Sequence, residues 1–290
     1  MKKLTGRLLI FFIGLPACLA LFAFFPQKNH LAANILVIIF CYLGAVELSD
    51  MLRKKNFFIP RVEAGIFGVI APVGMTLLVS FDADPLIIPV LIVASASWLL
   101  VSDVFVSVKQ EAAGKKPHDA LNRAAAGFTA LFYPSSFLSW IILMNRLPDS
   151  TTLLIAFLCV VFANDSLAWM VGLLFGRTNR GIFAVSPNKS LAGFIGGIAA
   201  SIAVGLFLAA ALPRVFNSAR FPPLVSGFIL GMFTGAAAVL GDLAESALKR
   251  GAGVKDSGGL VPGRGGILDS VDSLALSAPV FYVTYRLLFV

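Results

Sequence analysis

The chain is 290 residues long, 58% hydrophobic and only 13% charged, with a mean hydropathy of +0.91. Soluble domains are about one-quarter charged, so this composition argues against a soluble fold. We expect a single membrane-embedded unit instead, because the apolar runs are long enough to cross a bilayer.

Nine apolar runs reach or approach the length of about 20 residues that a spanning helix needs. They lie near 8–25, 31–48, 62–80, 86–108, 124–144, 151–175, 191–212, 224–248 and 271–290. The sequence therefore predicts an all-α, polytopic integral membrane protein with about nine transmembrane helices. We expect one domain over 1–290, with N-terminal helices in 1–150 and catalytic helices and cytoplasmic loops in 151–290.

The net charge of +8 could indicate a nucleic-acid partner, but the positions of the cations argue against one. With a cytoplasmic N-terminus, 18 of the 23 Lys and Arg residues fall on the cytoplasmic side of the predicted helices. This asymmetry follows the positive-inside rule and also suits anionic lipid headgroups. We expect a multi-pass protein of the inner (plasma) membrane with its polar loops facing the cytoplasm, and no nucleic acid.

The few cysteines and histidines of the chain do not have the spacing of a metal site. Cys18, Cys41 and Cys159 lie inside apolar runs without paired spacing, and His30 and His118 stand alone. Neither a zinc site nor a Ser-His-Asp triad follows from this pattern. Any metal would be held by oxygen ligands, which favours Mg²⁺ or another divalent cation.

Acids within predicted spans are costly and are functional candidates. Asp165 lies in the sixth span, and Asp242 and Glu245 lie three residues apart at the end of the eighth. Lys249 follows on the same helical face, so an ordinary Glu245–Lys249 salt bridge is the alternative reading for that pair.

Asp269 and Asp272 are also three residues apart, at the entry to the last span. Asp269 could simply be a helix-start carboxylate. Together with Asp242, the two acids predict a carboxylate cage for a divalent cation, against the alternative of a structural role.

The segment 258–266, GGLVPGRGG, is too rich in glycine to be helical. Its backbone N–H groups and those of the following helix could approach a phosphate chain. The sequence adds cations for phosphate charge at Lys249, Arg250, Lys255 and Arg264. Glycines, cations and acids together are the residue types that a binding site for a nucleoside triphosphate with Mg²⁺ requires.

The stretch from Ser246 to Asp272 resembles the signature of the phosphatidate cytidylyltransferases, the CDP-diacylglycerol synthases. The matching residues are Ser246, Lys249-Arg250, Lys255-Asp256, Pro262-Gly263-Arg264-Gly265-Gly266, Asp269 and Asp272. Segments 164–165, 186–197 and 241–246 are also similar to this family. Four positions depart from it: Arg264 replaces His, Ser270 replaces Arg, Ala192 replaces Glu and Leu191 replaces Trp.

The resemblance implies a nine-span fold that converts CTP and phosphatidate to CDP-diacylglycerol and pyrophosphate. It implies that Asp242, Asp269 and Asp272 hold a divalent metal, with Asp256 as a fourth acid or as the partner of Lys255. Lys249, Arg250, Lys255 and Arg264 would contact phosphates. Ser186, Lys189 and Ser190 would bind nucleotide or lipid headgroup, and Asp165 would support the site.

Other functions stay open at this point. The chain could be a paralogue with altered or lost catalysis, or a related CTP-dependent lipid enzyme of the polyprenol or phytol kinase or CDP-archaeol synthase type. A transporter or a non-enzymatic scaffold is a further alternative, although the polar groups gather in the C-terminal half. The oligomeric state is also open, with a homodimer as one option.

Overall fold

The computed structural model describes residues 14–112, 120–217 and 221–290. The protein is 77% helical and has no β-sheet within these ranges. The predicted all-α class is therefore confirmed. Residues 8–13 of the first predicted span lie outside the described residues.

The described ranges contain ten α-helices, numbered here in chain order. They are α1 (Leu15–Phe24), α2 (Gln27–Arg53), α3 (Arg61–Ser80), α4 (Ile87–Ala112), α5 (Ala120–Phe132), α6 (Ser135–Leu143), α7 (Ser150–Phe175), α8 (Leu191–Ala211), α9 (Pro223–Gly251) and α10 (Leu268–Phe289). Pro134 separates α5 from α6, and a 3₁₀ turn at Met144–Arg146 extends α6. Within the described residues, each predicted apolar run coincides with one of these helices or, for 124–144, with the α5–α6 pair.

Six helical stretches in the described part of the chain are long and apolar enough to cross a membrane. They are Gln27–Arg53, Arg61–Ser80, Ala120–Arg146, Ser150–Phe175, Leu191–Ala211 and Pro223–Gly251. The chain is thus a multi-pass helical membrane protein. The count of nine spans is not confirmed and stays a prediction.

One hydrophobic core includes residues from both predicted halves of the chain. Cys41 of α2 and Leu138 of α6 belong to the same buried cluster as Phe157 of α7 and Phe281 of α10. The rings of Phe157 and Phe281 lie 5.3 Å apart, centroid to centroid. The N-terminal and C-terminal helices therefore share one hydrophobic core.

Glycines allow α8 and α9 to approach closely. A methyl group added at Gly231 of α9 would lie 2.7 Å from the Cα of Ile202 in α8, and one at Gly205 would lie 3.0 Å from the backbone nitrogen of Gly231. Small residues at helix contacts are the usual means of tight packing in membranes. Backbone of one helix is therefore packed directly on backbone of the other.

A buried amide links α7 to the α8–α9 pair. Asn164 Nδ2 donates to Ser201 Oγ at 3.0 Å and to the Gly235 carbonyl at 3.2 Å. Ser201 Oγ in turn donates to the Val160 carbonyl at 3.2 Å. This network fixes the helix that carries Asp165 relative to the helix that carries Asp242.

We expect Gly231→Ala to lower the stability of the folded protein, because its methyl group would clash with α8 backbone. Overpacking of this kind costs about 1–3 kcal/mol. Gly251→Ala in the same helix is the matched control, since nothing lies within 4 Å of its added methyl group. Thermal unfolding in detergent should show a lower midpoint for Gly231→Ala alone; equal midpoints would contradict the packing argument.

Candidate active site

A cavity of about 1200 Å³ lies between the N-terminal and C-terminal helices. Its lining combines apolar and polar side chains. The apolar lining includes Leu36, Val37, Phe40, Leu138, Leu154 and Phe157, whereas the polar lining includes Asp165, Lys189, Asp242, Arg264 and Asp272. The cavity can therefore accommodate a molecule with an apolar portion and an anionic portion.

Three carboxylates from three different helices line this cavity: Asp165 of α7, Asp242 of α9 and Asp272 of α10. The hydroxyl oxygen of Ser273 lies 3.1 Å from Asp165 Oδ1 and 3.2 Å from Asp272 Oδ1. Gly241 lets α9 approach α10 here, because an added methyl group would lie 2.5 Å from the Asp272 carbonyl oxygen.

Two cations lie beside these carboxylates. Lys189 Nζ forms an ion pair with Asp242 Oδ2, and Arg264 Nη2 lies 4.0 Å from Asp165 Oδ2. Lys189 belongs to the loop between α7 and α8, and Arg264 belongs to the glycine-rich loop between α9 and α10. The loop between α7 and α8 and the glycine-rich loop thus reach the same cavity.

The donor set of the cavity has the chemistry that a hard divalent cation prefers, because all three acids offer carboxylate oxygens. Within the described residues, however, no group of three or more His, Cys, Asp or Glu side chains is arranged to hold a metal ion. The predicted metal ligands are also divided in space. Asp242 and Asp272 line the cavity, whereas Asp269 and the exposed Asp256 lie outside its lining.

Lys249 lies between two buried carboxylates. Its Nζ pairs with Glu245 of its own helix and lies 2.5 Å from Asp269 Oδ1 of α10. The Lys249 side chain is only 12% exposed, and that of Glu245 is fully buried. The ion pair with Glu245 is therefore present, but the same ammonium group also joins α9 to α10 instead of facing the cavity.

Asp269 accepts hydrogen bonds from the glycine-rich loop. Its Oδ2 accepts from the backbone N–H and the hydroxyl of Ser257, and from the backbone N–H of Gly266, each at 2.8 Å. Since Lys249 contacts the other oxygen, both oxygens of Asp269 have protein partners. In this structure Asp269 orders the loop.

Glu47 of α2 is a residue of this region that the sequence interpretation missed. Its carboxylate accepts the backbone N–H groups of Ile267 and Leu268, each at 3.0 Å. These are donors at the start of α10 that the glycine-rich pattern predicts to bind phosphate. The signal was available, because Glu47 is an acid within the predicted span 31–48.

The glycine-rich loop has left-handed backbone at Gly263 (φ 79°) and Gly265 (φ 116°), which favours glycine. A methyl group added at Gly265 would also lie 2.6 Å from Asp269 Oδ2. These two positions therefore need glycine for the fold of the loop itself.

The remaining predicted residues fall into two groups. Ser190 lines the cavity, and its hydroxyl caps α8 by accepting the Gly193 N–H at 3.1 Å. Outside the cavity lining lie Ser186, Arg250 and Lys255. Arg250 Nε donates to the Val185 carbonyl at 3.4 Å, which brings the two polar loops into contact. Arg180 and Asn188 also line the cavity and were not predicted.

A sequence profile of the Cytidylyltransferase family matches residues 5–288, almost the whole chain. The chain belongs to the cytidylyltransferase family. Its relatives include the phosphatidate cytidylyltransferase of Thermotoga maritima, which is 31% identical over 99% of this chain and 98% of the relative. The Aquifex aeolicus phosphatidate cytidylyltransferase is 31% identical over 93% of this chain and 86% of the relative. The phosphatidate cytidylyltransferase of a Synechocystis strain is 40% identical, but that match spans 44% of this chain and 41% of the relative.

Two of the departures from the cytidylyltransferase signature lie in the cavity. Arg264 and Ser270 both line it, although Ser270 Oγ donates to the Gly266 carbonyl at 3.0 Å. Ala192 lies in the first turn of α8, where its N–H is 3.4 Å from Asn179 Oδ1. Arg264 therefore supplies a cation to the cavity at the loop position where the signature has His.

We expect Lys249→Met to destabilise this cytidylyltransferase strongly, because Glu245 and Asp269 would lose their shared cation. Removing one partner of a buried ion pair costs about 3–5 kcal/mol. Lys255→Met is the matched control, since Lys255 is exposed. Thermal unfolding should separate the two variants, and adding Glu245→Gln to Lys249→Met should recover part of the loss. Equal midpoints for all three would show that the buried pair does not hold the helices together.

Proposed function

We propose that the protein is a phosphatidate cytidylyltransferase, which makes CDP-diacylglycerol and pyrophosphate from CTP and phosphatidate. The observation that carries the proposal is one large cavity that acids, cations and many apolar side chains line together. Such a cavity suits an anionic lipid substrate that enters from the bilayer. Membership of the cytidylyltransferase family and the relatives matched over nearly their full length support the same activity.

In the proposed reaction, a phosphate oxygen of phosphatidate attacks the α-phosphorus of CTP. A new P–O bond forms, the bond from the α-phosphorus to the bridging oxygen breaks, and its electron pair leaves with pyrophosphate. The nucleophile is already an anion, so a strong base is unnecessary. The main barrier is repulsion between two anions, which Lys189, Arg180 and Arg264 at the cavity would lower.

Asp165, Asp242 and Asp272 would hold Mg²⁺ after a rearrangement of their side chains, since they line one cavity but are not grouped as metal ligands in this structure. When bound, the cation would neutralise charge on the nucleotide phosphates and on the leaving pyrophosphate. We propose that Asp269 and Asp256 act outside this set, because Asp269 holds the loop and Asp256 is exposed.

The proposed orientation has the N-terminus and the active site on the cytoplasmic side of the plasma membrane. Two features support it: the asymmetric distribution of Lys and Arg, and the contact of Arg250 with Val185, which joins two loops assigned to the same side. CTP would reach the cavity from that side. The shared hydrophobic core supports one membrane-embedded domain over 1–290.

The comparisons do not favour the alternatives of a CTP-dependent lipid kinase, an inactive paralogue or a transporter. The reaction products distinguish the two candidate enzymatic activities, because a kinase releases CDP and the proposed reaction releases pyrophosphate. The test is turnover of CTP labelled in its cytidine, with phosphatidate and Mg²⁺ in detergent micelles. Labelled CDP-diacylglycerol supports the proposal; labelled CDP, or no product from folded protein, contradicts it.

We expect Asp272→Asn to abolish this turnover while the protein remains folded. Losing several kcal/mol of charge stabilisation lowers the rate by about 100-fold or more. Asp50→Asn is the control, because Asp50 forms an ion pair with Arg61 at 2.7 Å away from the cavity. Near-normal turnover by Asp272→Asn would exclude this residue from the metal site.

We also expect Arg264→His to lower activity, because it weakens the cationic character next to Asp165. If Arg264 compensates for the signature Arg that Ser270 replaces, adding Ser270→Arg should recover the activity. A double-mutant cycle of turnover rates measures this coupling. Independent gains from both single changes would disprove compensation.

A further inference from the structure

The N-terminal helix α2 contributes an acid to the C-terminal polar loop. We infer that Glu47 is a positioning residue: it holds the glycine-rich loop and the start of α10 in the arrangement that the cavity requires. The inference deepens the proposed function and rests on it for its kinetic readout. It concerns a residue outside the cytidylyltransferase signature, on the half of the chain that the signature does not cover.

Both oxygens of Glu47 have partners. Oε1 accepts the Ile267 N–H and Oε2 accepts the Leu268 N–H, each at 3.0 Å, and Oε2 also lies 3.0 Å from the Ser257 hydroxyl oxygen, whose one proton it shares with Asp269. The first N–H groups of a helix have no partner within the helix, and a negative charge is favourable there. Glu47 therefore caps α10 from another helix, over a separation of 220 residues for Ile267.

Ser257 connects Glu47 to Asp269. Its hydroxyl oxygen lies 3.0 Å from Glu47 Oε2 and 2.8 Å from Asp269 Oδ2. Since Asp269 also binds Lys249, a continuous series of contacts runs from α2 through the loop to α10 and α9. The loop is thus held from two sides by carboxylates, and Glu47 is the member that comes from the N-terminal half.

Two glycines of the loop make room for Glu47. A methyl group added at Gly258 would lie 2.8 Å from Glu47 Cδ, and one at Gly266 would lie 2.7 Å from it. These glycines therefore allow a protein carboxylate to approach the loop backbone. A bound phosphate would require the same close approach to the loop backbone, but here the approaching anion is the Glu47 carboxylate of the protein itself.

The capped end of α10 lies next to residues that form the cavity. Ile267 and Ser270 line the cavity, and Asp272 follows within the next turn. If the first turn of α10 lost its cap, it would fray, and the Asp272 carboxylate would move relative to Asp165 and Asp242. Glu47 would thereby affect turnover without touching substrate.

The test uses Glu47→Gln in the full chain. The amide keeps the size of the side chain but replaces one accepting oxygen by an NH₂ group, which faces N–H donors. Loss of a supporting contact of this kind typically lowers activity by about 10–100-fold. We expect kcat to fall by that factor while KM for phosphatidate changes little, and we expect faster trypsin cleavage after Lys255 or Arg264.

Glu63→Gln is the matched control, because Glu63 Oε1 accepts from Arg123 Nη2 at 2.6 Å in a part-buried pair of the N-terminal half. We expect it to lower the thermal midpoint without lowering kcat or opening the loop to trypsin. If Glu63→Gln lowers kcat and exposes the loop as much as Glu47→Gln does, Glu47 has only a general structural role and the inference is overturned.

Ser257→Ala is the second variant, in case Glu47→Gln fails to fold. It removes one donor to Glu47 without leaving a buried charge unpaired, and we expect smaller changes in the same directions. Wild-type kcat and wild-type cleavage in both variants would overturn the inference. If the wild-type protein makes no CDP-diacylglycerol, the proposed function fails, and the trypsin comparison alone still decides whether Glu47 holds the loop.

Discussion

The site depends on one cation, Lys249, which is 12% exposed and is held between Glu245 and Asp269. A buried charge is tolerated only with partners, so α9 and α10 must adopt the register that brings these groups together. Asp242 lies two helical turns before Lys249, and Asp272 lies one turn after Asp269. The ion pair therefore places the two cavity acids that belong to these helices, and it does so before any substrate is present.

The polar loops occupy the same region through different contacts. The glycine-rich loop is folded onto internal anions, whereas the loop between α7 and α8 reaches the cavity through Lys189 and meets the other loop through Arg250. The N-terminal helices contribute the apolar wall and Glu47. Neither half of the chain contains a complete cavity, which explains why a signature confined to the second half describes only part of the site.

Much of the fold and part of the site could be predicted from the sequence. Because length and apolarity are local properties, hydropathy located the helices of the described residues, except that the one predicted run 124–144 forms the two helices α5 and α6. Spacing selected Asp165, Asp242 and Asp272, since acids in apolar runs are conspicuous. Spacing could not reveal that Asp269 points to the loop and Asp272 to the cavity. That difference depends on contacts between helices, and one partner of α10, Glu47, lies more than 200 positions away.

The contact between Glu47 and the start of α10 also constrains the order of biogenesis. A ribosome delivers α2 to the membrane long before α10 has been synthesised, and 221 positions separate Glu47 from Leu268. During that interval the Glu47 carboxylate lacks its native hydrogen-bond donors, because the N–H groups of Ile267 and Leu268 have not yet been synthesised. The arrangement of the site is therefore incomplete until the last helix inserts. Completion of the site is therefore coupled to completion of the polypeptide, and truncated products cannot carry an assembled site.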